Sequence, residues 1–159
     1  KGLQGVFGSW VKPPAGLLQL QELAVEEPSE FHYADLHLRS APVAHIPGSL
    51  AYRLTSGGVS VVFSGDTDWS PTLIDLARGA DLLVLEAANP FKVPGHLTPA
   101  EAGRLAAQAG VPRLVLTHFY PPCDAVDVAA LARVHYSGDL ILAEDGLRLF
   151  LPPRESPQP

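Results

Sequence analysis

Five side chains able to carry protons or hold cations stand beside short apolar runs. Asp66 follows residues 59–63, Glu86 closes residues 81–86 and His118 follows residues 114–116, while His45 lies in Val43-Ala44-His45-Ile46-Pro47 and His96 in Pro94-Gly95-His96-Leu97. Imidazole exchanges protons near neutral pH, and imidazole and carboxylate supply nitrogen and oxygen donors to divalent cations. Cys123 is the single cysteine, which excludes an internal disulfide and a cysteine-rich zinc site. Any bound metal must therefore be held through histidine and carboxylate. Taken alone, each residue has an ordinary reading: Asp66 after Ser64-Gly65 as a turn former, His45 and His118 as strand-end histidines satisfied by backbone, His96 as a loop histidine.

The elements that must position these residues are regular from Pro42 onward. Residues 51–55 and 59–63 are β-prone runs joined by Ser56-Gly57-Gly58, the composition of a tight hairpin. Ser70 followed by Pro71 reads as an N-cap and first-turn proline, with Leu73, Leu76 and Ala77 as the apolar stripe and Gly79 as the stop. The continuous apolar run at 81–86 is expected to be a strand buried on both faces. Thr98-Pro99-Ala100-Glu101 is a capping box opening a helix that ends at Gly110. Residues 114–116 predict another strand, Asp124 is expected to cap a helix to about His135, and residues 140–143 and 147–151 are expected to flank a Glu144-Asp145-Gly146 turn. Upstream, Gly and Pro punctuate the chain, and residues 17–24 predict a short helix.

Alternating strands and helices define an α/β layering. In open α/β sheets ligands bind outside the carboxyl ends of the strands, so Asp66, Glu86 and His118 should share one rim. The 51–63 hairpin can return His45 to that rim. His96 precedes the capped helix, where unpaired N–H groups and the helix dipole favour a phosphate or a developing oxyanion.

The 159 residues, 47% of them hydrophobic, suffice for one core, and one domain over residues 1–151 with a proline-rich disordered tail at 152–159 is expected. The net charge of −6 argues against a general polyanion-binding surface and leaves only a local basic patch open. No run of apolar residues reaches membrane-spanning length, so a soluble, cytoplasmic chain is expected. The sequence contains no methionine and begins at Lys1, so an upstream segment is expected as well.

Several motifs in this order resemble the metallo-β-lactamase fold hydrolases, in the branch containing ribonuclease Z and the cyclic phosphodiesterase of phosphonate breakdown. They are Val43-Ala44-His45, Phe63-Ser64-Gly65-Asp66-Thr67, Leu83-Val84-Leu85-Glu86-Ala87, Gly95-His96-Leu97-Thr98 with Glu101-Ala102-Gly103, Leu116-Thr117-His118, and the closing Ala143-Glu144-Asp145-Gly146. The resemblance covers roughly residues 45–151. It implies half of a four-layered αββα sandwich, a mixed sheet with flanking helices. It also implies a two-metal hydrolase, with His45, Asp66 and His118 as metal ligands, Asp66 bridging, and His96 assisting phosphate chemistry under the influence of Glu86. Zn²⁺, two per complete site, is the implied metal, with Mn²⁺ less specific.

The chain also departs from the family. The first-half signature His-x-His-x-Asp-His is absent, and His32 and His37 have the wrong spacing for it. Weak metal binding, no useful hydrolysis by this chain alone, and a missing N-terminal half are therefore expected. Leu85 stands where ribonuclease Z usually has histidine, and neither a long insertion between Arg53 and Asp66 nor a basic arm is present, which points to a relative of the tRNA-processing enzyme. The expected partners are a phosphodiester or other small hydrolysable substrate, and the missing half or a second copy covering the open face. Two rivals stand beside this: a thioester or lactone hydrolase of the same fold, and a non-catalytic module that self-associates. His32, His37 and His135 are expected to be solvated or locally hydrogen-bonded, Cys123 a loop thiol, and Tyr52-Arg53 a strand pair packing across the hairpin.

Overall fold

The computed structural model describes residues 22–152. Strands β1 (Ser29–Tyr33), β2 (Leu36–Pro42), β3 (Leu50–Ser56) and β4 (Val59–Phe63) are followed by helix α1 (Pro71–Ala77), strand β5 (Leu82–Glu86), helix α2 (Pro99–Ala109) and strand β6 (Arg113–Thr117). A 3₁₀ turn at Pro121–Ala125, helix α3 (Val128–Arg133) and strand β7 (Asp139–Leu142) complete the described order. The strands form one seven-stranded sheet in sequence order. Pairing is antiparallel from β1 to β4 and parallel from β4 to β7. The first half is a meander and the second is built from helical crossovers, so the sheet is mixed and the class α/β.

Local chemistry explains the joints. Gly57 and Gly58, at φ +56° and +78°, close β3 onto β4 with Ser56 opposite Val59, the backbone of a two-residue hairpin turn that β-carbon sterics disfavour. At α2 the Thr98 hydroxyl accepts from the Glu101 N–H while the Glu101 carboxylate accepts from the Thr98 N–H, the reciprocal cap its sequence predicts. Gly110 ends that helix at φ +67°. Arg53 does not pack idly across the hairpin: its guanidinium donates to the carbonyls of Leu76 and Arg78 at 3.0 and 2.8 Å, satisfying the open C-terminal end of α1.

The helices cover one face of the sheet, burying Val62, Leu83, Leu85, Leu114 and Leu116 against Leu73 and Leu105. Along β4 and β5 the alternate residues point the other way, and there Phe63 is 43% exposed and Val84 half-buried. Within the run at 81–86, β5 is buried at Leu82, Leu83, Leu85 and Glu86, so it is covered on both faces as expected except at half-buried Val84. No helix among these residues is long and apolar enough to cross a membrane.

Two expectations lie mainly outside the described residues, and two are corrected. The helix at 17–24 falls mainly outside the described residues, and 22–24 are not helical. The tail at 152–159 likewise lies outside them except for Pro152. The single helix from Asp124 is broken: Pro121-Pro122 set a 3₁₀ turn, Val126 is extended at φ −135°, and Asp127, not Asp124, caps α3 by accepting from the Ala130 N–H at 2.8 Å. The strand at 147–151 does not form. Glu144-Asp145-Gly146 does turn, but Phe150 is 80% exposed and residues 147–151 pair with no strand. The β1–β2 hairpin was not legible at all.

Candidate active site

β4, β5 and β6 run parallel, and the residues at and beyond their carboxyl ends line one pocket: Ser64, Gly65 and Asp66 after β4, Glu86 at the tip of β5, Thr117 and His118 at and after β6. His45 arrives from the β2–β3 connection and His96 from the loop before α2. The structure brings all five sequence-predicted residues together. Asp66 lies between two histidines, one carboxylate oxygen toward each: Oδ2 is 4.0 Å from His45 Nε2 and Oδ1 is 3.5 Å from His118 Nε2. The ring of His96 sits between them as well, 5.0 Å from that of His45 and 5.5 Å from that of His118.

Each histidine is held by a different device. His45 Nδ1 lies 3.0 Å from the Gly95 carbonyl, which can only accept, so the proton is on Nδ1 and the Nε2 lone pair is left facing Asp66. Gly95 permits this approach: a β-carbon there would stand 3.1 Å from His45 Nδ1, and its φ of +88° favours glycine. His118 adopts φ +64°, a left-handed conformation costing a non-glycine residue about 1–3 kcal/mol. Its Nε2 is buried without a hydrogen-bond partner, although buried polar atoms are nearly always paired. His96 donates through Nδ1 to Glu86 Oε1 at 2.9 Å.

Glu86 is 1% exposed and fully engaged. Oε1 also accepts from the Thr67 N–H at 2.6 Å and Oε2 from the Leu97 N–H at 3.1 Å, while its own N–H donates to the Ser64 hydroxyl. One buried carboxylate therefore ties the turn after β4 to the loop bearing His96.

Sequence reasoning missed a second tie. Lys92 Nζ binds the Asp68 carboxylate, the His96 carbonyl at 3.0 Å and Glu101 Oε2 at 3.2 Å, and Asp68 also accepts from the Gly95 N–H at 3.1 Å. Burial opposes the charge on Asp68, but hydrogen bonds from Lys92, Trp69 N–H and Gly95 N–H outweigh it and hold the carboxyl below the usual range. Burial likewise opposes the Lys92 charge, and its hydrogen bonds to Asp68 and Glu101 raise it above the ordinary lysine value. No periodicity marks these residues, since the contacts join positions between 4 and 27 apart. Cys123 is not a loop thiol: it is buried, donates toward the Ala88 carbonyl at 3.4 Å, and burial pushes its thiol up.

The donor set suits a metal on this structure's own geometry. A buried imidazole nitrogen without a hydrogen bond, a second imidazole with its lone pair freed, and a carboxylate facing both are donors of the kind divalent cations take, and form part of the set a pair of them needs. The three side chains flank two positions, on either side of Asp66, and do not converge on one.

Comparison with known proteins agrees with the fold. The family model of the beta-lactamase superfamily domain matches residues 3–119, and the chain belongs to that family. An uncharacterized protein of Mycobacterium leprae is 44% identical over 101 residues, covering 60% of this chain and 36% of that protein. A ribonuclease Z of Salinispora arenicola is 44% identical over 110 residues, 63% of this chain and 35% of the relative. Among solved structures, the metallo-β-lactamase fold protein YhfI of Bacillus subtilis superposes with a TM-score of 0.68 at 26% identity, over 75% of this chain and 51% of that one. The short form of human tRNase Z gives a TM-score of 0.59 at 26% identity, over 77% and 44%. The matched region is about a third of the length of the curated relatives. The fold is thus the metallo-β-lactamase fold.

Proposed function

We propose that His45, Asp66 and His118 are ligands of a two-metal hydrolase site, that His96 held by Glu86 assists its chemistry, and that the intact parent cleaves a phosphodiester. The observation carrying this reading is the Asp66 carboxylate, one oxygen toward each histidine, beside the buried and unpartnered Nε2 of His118. Nitrogen and oxygen donors suit Zn²⁺, and Mn²⁺ less specifically. When bound, such a cation pair supplies a lowered water pKa and neutralises charge developing on the substrate. His96, its Nδ1–H fixed on Glu86, is the group that stabilises the charged transition state or protonates the leaving oxygen.

His-x-His-x-Asp-His is absent from the 159 residues, so the remaining ligands belong to the rest of the parent, and this chain alone binds metal weakly without useful hydrolysis. The half-open face bearing Phe63 and Val84 is where that remainder packs, or a second copy when the chain is alone. A phosphodiester is favoured by the likeness to proteins named ribonuclease Z and by His96 ahead of the α2 N-terminus. Leu85, in place of histidine, favours a relative of the tRNA-processing enzyme over that enzyme itself. The test is to offer the intact parent, loaded with Zn²⁺ or Mn²⁺, a bis-aryl phosphate and an acyl thioester. Turnover of the phosphate is expected; turnover of the thioester alone overturns the proposal.

A further inference from the structure

Away from that rim, the β1–β2 hairpin gathers three ligand-type side chains. His32 and His37 are directly opposite in the antiparallel register, and their rings stack at 4.2 Å with an interplanar angle of 1°. Glu30 lies two residues before His32 on the same strand face, and its Oε2 is 3.3 Å from His37 Nε2. Arg39 stands opposite Glu30 in register, yet the carboxylate reaches along the hairpin to the imidazole. One ligand atom from each of Glu30, His32 and His37 lies within 4.8 Å of the other two, and no other such group of three exists among the described residues.

We infer that the hairpin is a binding site for a borderline divalent cation such as Zn²⁺, with Glu30, His32 and His37 as its ligands. Tetrahedral ligands about 2.1 Å from zinc stand about 3.4 Å apart. The Glu30–His37 pair already has that spacing, and the exposed His32 reaches it by turning its ring out of the stack. Two imidazoles and one carboxylate leave a fourth position to water, and cross-strand placement on a paired hairpin limits the ordering that binding must impose. The site is independent of the proposed hydrolase centre, because β1 is the sheet edge and β2 and β3 separate it from β4.

The experiment is calorimetric titration of the untagged, chelator-stripped chain with Zn²⁺ alone, for wild type, the His32→Ala/His37→Ala double variant, Glu30→Gln, and His118→Ala. The double variant is expected to lose one binding event that His118→Ala retains, and Glu30→Gln to weaken the same event by about tenfold or more. Substoichiometric Ni²⁺ added to the wild type is expected to broaden the imidazole proton resonances of both His32 and His37, which needs no variant to fold. A double variant, folded by circular dichroism, that titrates as wild type does, or Ni²⁺ that leaves the two resonances sharp, overturns the inference.

Discussion

Glu86 shows how one side chain can govern several others. Its oxygens accept from Thr67, Leu97 and His96, so an amide in its place must turn its NH₂ toward one of those donors. Glu86→Gln is therefore expected to cost about 1–3 kcal/mol in urea unfolding, the usual penalty of an unsatisfied buried group. In the intact parent it is expected to lower kcat by about a hundredfold or more while metal content stays unchanged, since it acts through His96. An unchanged kcat would remove Glu86 from the mechanism. Glu86, Asp66 and His118 were legible because each ends or follows an apolar strand, and strand ends in a parallel sheet share a rim. Asp68 and Lys92 were not. Asp68 lies in the loop after β4 and Lys92 in the loop before α2, and only the folded chain joins them into a network.

At the scale of elements, α2 and α3 meet at Gly103. A β-carbon there would lie 2.2 Å from the Ala132 carbonyl oxygen, so Gly103→Ala must push the helices apart, and a loss of about 1–3 kcal/mol with a lowered Tm is expected. Beyond α3, Tyr136 is buried with its hydroxyl donating to the Val111 carbonyl at 3.1 Å, and burial pushes its pKa up to about 12. The unfolded tyrosine ionises near its ordinary value of about 10, so the native state keeps a proton that the unfolded state has lost. Its contribution is complete below the unfolded pKa and falls as pH rises toward 12. The stability difference between wild type and Tyr136→Phe, read by urea unfolding, is expected to shrink across that window. A difference independent of pH contradicts the assignment.

Elements fixed by local chemistry were the ones predicted correctly. The Thr98 to Glu101 box and the Gly57-Gly58 turn each contain their own partners. The β1–β2 hairpin was hidden because its turn is Ala34-Asp35, with Ala34 at φ +52°, and the Ser56 hydroxyl of the next hairpin donates to Asp35 at 2.6 Å. The break at Val126 was hidden because Asp124 and Asp127 are equally good caps by type, and the proline pair decides between them.

For the whole molecule, the asymmetry between the two sheet faces is the dominant feature. One carries helices; the other exposes Phe63 at 43% and leaves Val84 and Ile141, which share its face by register, half-buried. Burying such a face is worth roughly 25 cal/mol per Å² of apolar area, so the isolated chain is expected to self-associate. Phe63→Ala is expected to weaken that association by about tenfold or more, equivalent to about 1.4 kcal/mol, in sedimentation velocity. A monomer at all accessible concentrations contradicts this use of the face.

The central claim concerns where cations sit relative to Asp66. Anomalous scattering at the zinc edge from crystals of the intact, zinc-loaded parent tests it most directly. The predicted result is two peaks flanking the Asp66 carboxylate, one beside His45 Nε2 and one beside His118 Nε2. Zinc bound elsewhere, with neither histidine nor Asp66 in contact with it, would contradict the account.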